Sequence, residues 1–317
     1  MLYPLKLSYT TAHMIWGGAR LVEEWGKESD ILPLAETYEL SVRDDGHMSF
    51  IENGEFSGMT LREYIEKNGN RTVSDTYSGG RFPLLIKFID ASDRLSVQVH
   101  PNDIYAKDVE NDSGKTEMWY IIDAEPGAKI IYGLKDGVTQ EDFARAVAGN
   151  DLDRVMNYVE VNKGESYFVP SGMLHAIGKG ILIAEIQQNS DLTYRVYDYD
   201  RLGVDGKPRE LHVKKALDVV RPFNESEIEK ICYSEGKKDS DCLANGKYFK
   251  VFHITERSKL FADKKSFHSI IVLANGAELI YKNDKYTLKK GDSWFLPAGT
   301  GEYFIDGQNI DILVSSL

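Results

Sequence analysis

The sequence predicts a mainly β protein with short helices, built as two small β-barrels in tandem. Three observations carry this expectation. Short segments that alternate in polarity, or are apolar throughout, recur along the chain between turns rich in Gly, Asn, Asp and Pro. Segments with helical periodicity are few and short. One pattern also occurs twice, as GESYFVPSG at 164–172 and GDSWFLPAG at 291–299. The matched Gly and Pro positions imply the same strand between the same turns in each copy. The expected organisation is a first unit with helical additions at 1–223, a connecting segment at 224–247 and a second unit at 248–317.

The elements follow in order. Glu36 to Leu40 is an expected strand, with Thr37 and Tyr38 favouring it and the turn Asp44-Asp45-Gly46 beyond its end. Residues 58–70 read as a helix capped by Thr60, with Leu61, Tyr64 and Ile65 on one face and Asn68-Gly69 at its end. The apolar run PLLIKFID at 83–90 suits a buried strand. In RLSVQVH at 94–100, Leu95, Val97 and Val99 face one way, and Ser96, Gln98 and His100 the other. Pro101 to Asp112 is polar, a short helix or loop. Strands are expected at 117–124, 165–169, 181–186 and 193–199, and helices at 139–148, capped by Thr139, and at 209–220. Residues 224–247 are rich in Glu, Lys, Ser and Asp, and short strands return beyond 248.

Composition narrows the function. The chain has 317 residues and a formal net charge of −12, which argues against non-specific nucleic-acid binding and against an anionic membrane surface. A locally basic pocket for an anionic small molecule is compatible with that balance. MLYPLKLSYTTAHM contains no secretory signal, and no apolar run approaches the ~18 residues of a spanning helix. Cys232 and Cys242 lie outside any metal or redox spacing and read as free thiols of a cytoplasmic protein. The oligomeric state is left open.

Chemistry concentrates in two segments. The first offers Gln98 and His100 on one strand face, then Glu117. The second offers His175 behind the turn Pro170-Ser171-Gly172. Two imidazoles, a carboxylate and an amide oxygen suit zinc or another first-row divalent ion. Glu185 sits within the apolar strand ILIAEI, where burial would raise its pKa and fit it for proton transfer. Lys115 and Arg195 could bind an anion or stabilise a developing oxyanion. Asp191 could cap a turn. His13, His47, His212, His253 and His268 have no partner at ligand spacing.

The repeated pattern resembles the second motif of the cupin barrels, G-x5-P-x-G-x2-H. The first copy keeps the histidine as His175, and the second carries Glu302. The resemblance implies one metal-bearing and one degenerate barrel. More specifically, the chain resembles the type I mannose-6-phosphate isomerases in their short bacterial form. Trp16-Gly17-Gly18, Glu36-Thr37-Tyr38-Glu39, LSVQVHPND at 95–103, GKTEMWYII at 114–122, VPSGMLHAI at 169–177 and SDLTYRVYDYDR at 190–201 carry the likeness. It implies Gln98, His100, Glu117 and His175 as zinc ligands, Arg195 as the catalytic arginine, Lys115, Glu185 and Asp191 as pocket residues, and Ser96 as a polar neighbour of the metal. It implies a phosphosugar substrate and proton transfer through a cis-enediol(ate), with Glu185 the favoured base and Lys115 its rival. The family's longer members place Tyr where Ile177 stands here, and carry a helical insertion that this chain lacks or reduces. Another metal-dependent cupin enzyme, such as an iron oxygenase, and a non-catalytic sugar-binding protein are the alternatives.

Overall fold

The computed structural model describes residues 2–203 and 206–317. Among them lie six short α-helices and four antiparallel sheets, of six, five, six and four strands. None of the four closes on itself, so the ladders alone do not draw the two expected barrels. Among the described residues, no helix is long and apolar enough to cross a membrane.

Strand Leu84–Ala91 shows how the layers arise. It is buried at every position because both its faces are covered. Leu84, Ile86 and Phe88 join an apolar cluster with Met118, Tyr120 and Ile186 of its neighbours and with Leu5, Phe267, Phe295 and Leu313 of the C-terminal sheet. Phe267 packs against both Phe82 and Phe295, with ring centroids 5.2 and 5.0 Å away. The opposite face of the strand carries Lys87 and Ile89 towards a five-stranded sheet containing Val97–Val99, Lys129–Leu134, His175–Ala176 and Tyr194–Tyr197. A separate apolar core, with Ile270, Leu279, Trp294 and Tyr303, fills the C-terminal pair of sheets. Strand Leu5–Leu7 pairs with Ser293–Leu296, so the start of the chain completes the sheet that holds the second copy of the repeat.

The helices follow their caps. Leu61–Asn68 starts at Thr60, whose side chain accepts from the Glu63 N–H while Glu63 accepts from the Thr60 N–H. Gln140–Ala148 does the same with Thr139 and Asp142. The helix expected at 209–220 shortens to Val213–Val219, because the Glu210 carbonyl accepts from Arg195 and the His212 N–H donates to the Arg195 carbonyl. Within 224–247 the structure adds a helix, Glu225–Cys232, and a strand, Cys242–Asn245. The polar stretch after Pro101 is a helical turn, Asp103–Tyr105, that widens into a π-helical turn at Ala106–Glu110. Strands Ser258–Ala262 and Gly301–Gly307 add to those expected in the C-terminal unit.

Candidate metal centre and active-site cavity

Strand register assembles the cavity. In the six-stranded N-terminal sheet, Tyr38 stands opposite Lys87, Lys87 opposite Glu185, and Glu185 opposite Trp119. Residues two apart on a strand share a face, so Glu36 and Glu117 join that row. In the facing sheet, Gln98 stands opposite both His175 and Arg195. Between the sheets lies a cavity of about 200 Å³, whose lining includes Ser96, Gln98, Lys115, Glu185, Asp191 and Arg195.

His100, Glu117 and His175 meet behind the lining residues Gln98 and Lys115, each of the three no more than 1 % exposed. The His100 Nε2 and His175 Nε2 atoms are 3.1 Å apart. Glu117 places Oε2 3.3 Å from the first and Oε1 3.4 Å from the second. The other ring nitrogens settle the tautomers. Nδ1 of His100 lies 2.7 Å from the Leu192 carbonyl, and Nδ1 of His175 lies 2.8 Å from the Met173 carbonyl. A carbonyl only accepts, so each Nδ1 carries the proton and each Nε2 presents a lone pair. Burial, ahead of the nearby charges, lowers both imidazole pKa values, that of His175 to about 3, so both rings are neutral. Two bare nitrogens and two carboxylate oxygens therefore converge with no hydrogen between them. Both Glu117 oxygens are buried; the Lys115 ammonium stands 2.9 Å from Oε2, and Oε1 has no hydrogen-bond partner. Such a cluster is costly alone and suits a cation at its centre. The donor set fits a divalent metal, and Gln98 adds an amide beside His175 on the adjoining strand.

A second set of charges lines the cavity beside it. Burial first, and the negative charge of Glu117 second, raise the Glu185 carboxyl to about 7. The Trp119 indole N–H donates to Glu185 Oε1 at 3.0 Å and fixes its orientation. Burial alone would lower the Lys115 pKa, but the charges of Glu117, 2.9 Å away, and Glu185 raise it. Lys87 is raised in the same way by Glu36, at 2.9 Å, and the charge of Lys87 in turn outweighs burial to lower the Glu36 carboxyl. Glu117 is held well below the ordinary carboxylate range, because the positive charge of Lys115, 2.9 Å away, overcomes its burial. The cavity floor is thus one carboxyl near neutrality between two fixed ammonium groups.

Exposure rises away from the metal residues. Arg195 donates from Nε to Ser96 Oγ at 3.2 Å and from a terminal nitrogen to the Glu210 carbonyl at 2.9 Å. Asp191 is exposed and paired with Arg43. Sequence reasoning missed further polar lining residues, among them Glu36, Tyr38, Lys87 and Arg209. Lys87 left a signal, since a lone ammonium inside PLLIKFID demands a buried partner. Glu36 and Tyr38 lay in a quoted motif without being assigned to the site. Arg209, held by Asp198 at 2.6 and 2.7 Å, left none.

Two family models match the chain: "Phosphomannose isomerase type I, catalytic domain" over residues 4–126, and "Mannose-6-phosphate isomerase, cupin domain" over residues 243–317. The chain is 39% identical over 309 residues to the mannose-6-phosphate isomerase ManA of Bacillus subtilis (strain 168), covering 96% of each chain. It is 34% identical over 316 residues to the mannose-6-phosphate isomerase of Streptococcus mutans, covering 99% of this chain and 98% of that one. The crystal structure of the mannose 6-phosphate isomerase from Bacillus subtilis superposes with a TM-score of 0.86 at 34% identity, covering 99% of both chains.

Proposed function

The chain belongs to the type I phosphomannose isomerase family, and from that premise we propose that it interconverts mannose 6-phosphate and fructose 6-phosphate, with Gln98, His100, Glu117 and His175 holding one zinc ion. The observation that carries the reading is the convergence of four lone-pair atoms from His100, Glu117 and His175 next to a cavity lined by Gln98, Lys115 and the buried carboxyl of Glu185. Two imidazoles, a carboxylate and an amide oxygen match zinc in donor type. When bound, the ion supplies Lewis-acid polarisation of the sugar oxygens at C1 and C2.

The protein's own groups do the rest. Glu185 takes the proton from C2 and returns it to C1, passing through a cis-enediol(ate), while the hydroxyl proton of O2 passes to O1 as the carbonyl moves from C1 to C2. Its raised pKa matches a group that must both accept and release a proton near neutrality. Lys115 is the weaker base, because its ion pair with Glu117 holds its proton. As a fixed cation, Lys115 instead stabilises negative charge growing on the sugar. Arg195 does the same from the facing sheet, steadied by Ser96. The phosphate, a strongly hydrated dianion, belongs at the open end, where Arg195 and Arg209 supply guanidinium groups and Asp191 lies close by.

The architecture is read as two cupin units, one on each side of 224–247, with the second unit borrowing strand Leu5–Leu7. The two buried, unpaired cysteines suit a reducing cytoplasm. A coupled assay of purified protein with mannose 6-phosphate tests the activity. Turnover is expected, and Glu185→Gln is expected to lower kcat by about 10²–10⁴ with zinc content unchanged. Absence of turnover in zinc-loaded wild type overturns the assignment. Full kcat in the variant overturns the role of Glu185.

A further inference from the structure

Arg43 lies outside the cavity, in the wall of a neighbouring one of about 850 Å³, yet it reaches the loop that edges the active site. That loop, residues 189–193, joins strand Ile181–Gln188 to strand Tyr194–Tyr197. It contributes Asp191 and Thr193 to the cavity lining. Its Leu192 carbonyl also fixes the tautomer of His100. One terminal nitrogen of Arg43 donates to Asn189 Oδ1 at 3.0 Å, and the other pairs with Asp191 Oδ2. The Nε of Arg43 is held by Asp45 Oδ2 at 2.6 Å, so the guanidinium is anchored on one side and presented to the loop on the other.

The charge of Asp191 sets the problem this contact solves. The carboxylate is half exposed at the open end of the cavity, where a phosphorylated sugar enters. A phosphomonoester carries about −1.5 to −2 charges at neutral pH. Unpaired, Asp191 would repel that end of the substrate and would be free to turn away from the sugar hydroxyls. With Arg43 on one oxygen, and shared with Asp45, the charge is partly offset and the other oxygen is left to accept from the substrate. We propose that Arg43 is a positioning residue for substrate binding: it acts through Asp191, partly offsetting the charge of that carboxylate and orienting it for a phosphorylated sugar. This rests on the isomerase reading given above.

A double-mutant cycle in steady-state kinetics with mannose 6-phosphate tests it. Arg43→Ala is expected to raise KM about fivefold, the scale of a partly exposed charge pair, with kcat changed less than about twofold. The rise is expected to shrink at high ionic strength, because an unneutralised Asp191 acts by a screened repulsion. In an Asp191→Asn background, Arg43→Ala is expected to change KM little, and Arg43→Lys is expected to recover part of the wild-type KM. An equal effect of Arg43→Ala with and without Asp191 overturns the proposal, as does an unchanged KM or a loss confined to kcat. If Arg43→Ala fails to fold, Arg43→Gln takes its place in the same cycle. Wild-type protein without turnover sinks the isomerase reading, whereas wild-type turnover with an unaltered variant sinks only the role of Arg43.

Discussion

Glu185 owes its raised pKa to two sources that respond differently to a metal ion. Burial persists whatever the site contains, whereas the repulsion from Glu117 fades once a cation neutralises that carboxylate. A base must be deprotonated to act, so kcat/KM is expected to fall as the pH drops through the Glu185 pKa. The midpoint of that acid limb is expected above the ordinary 4.5 and no higher than about 7. A pH–rate profile of the zinc-loaded enzyme measures it, and a flat profile across that window contradicts the assignment. Asp198 gives a stability counterpart. Burial opposes its ionisation, but the hydrogen bonds from Arg209 and Arg201 win and lower its pKa. A depressed carboxylate stabilises the fold above its unfolded pKa, about 3.9, and loses that contribution as the pH falls through the folded value. The melting-temperature deficit of Asp198→Asn is therefore expected to be full at pH 7 and to narrow below about pH 4.

Single elements were legible where local chemistry decides them. Thr60 and Thr139 were recognisable as caps because a hydroxyl that satisfies a free N–H needs no distant partner. Thr60→Ala is expected to cost about 1 kcal/mol in thermal or urea unfolding without altering turnover. The helix at Glu225–Cys232 was readable too, since Asn224 and Glu227 form the same reciprocal cap, but the charged composition around them masked it. The start of the helix at Val213 was not readable, because pairing of Glu210 and His212 with Arg195 of an earlier strand decides it. The same holds for the site. Gln98, His100, Glu117 and His175 were visible through their spacing and the Pro-Gly turn. Lys87 and Glu36 become a pair only when two strands set them side by side, and Arg209 enters only through a loop anchored on Asp198.

At the scale of the whole molecule, two six-stranded sheets pack face to face through one apolar cluster, and the row of Tyr38, Lys87 and Glu185 sits on the far side of one of them. Alternation along Leu84–Ala91 therefore couples the two units: Leu84, Ile86 and Phe88 pack on the C-terminal sheet, while Lys87 faces the cavity. Calorimetry is expected to show a single unfolding transition. Phe267→Ala, which empties the middle of the shared cluster, is expected to lower it as a whole, at about 3–5 kcal/mol. Two separated transitions would contradict that coupling. The central claim, that this scaffold brings neutral imidazoles and an unprotonated carboxylate together to hold a metal that the reaction needs, is tested most directly by turnover of mannose 6-phosphate before chelation, after chelation and after zinc is added back. Activity lost on chelation and regained with about one equivalent of zinc per chain is the predicted result. Undiminished turnover by metal-free protein would contradict it.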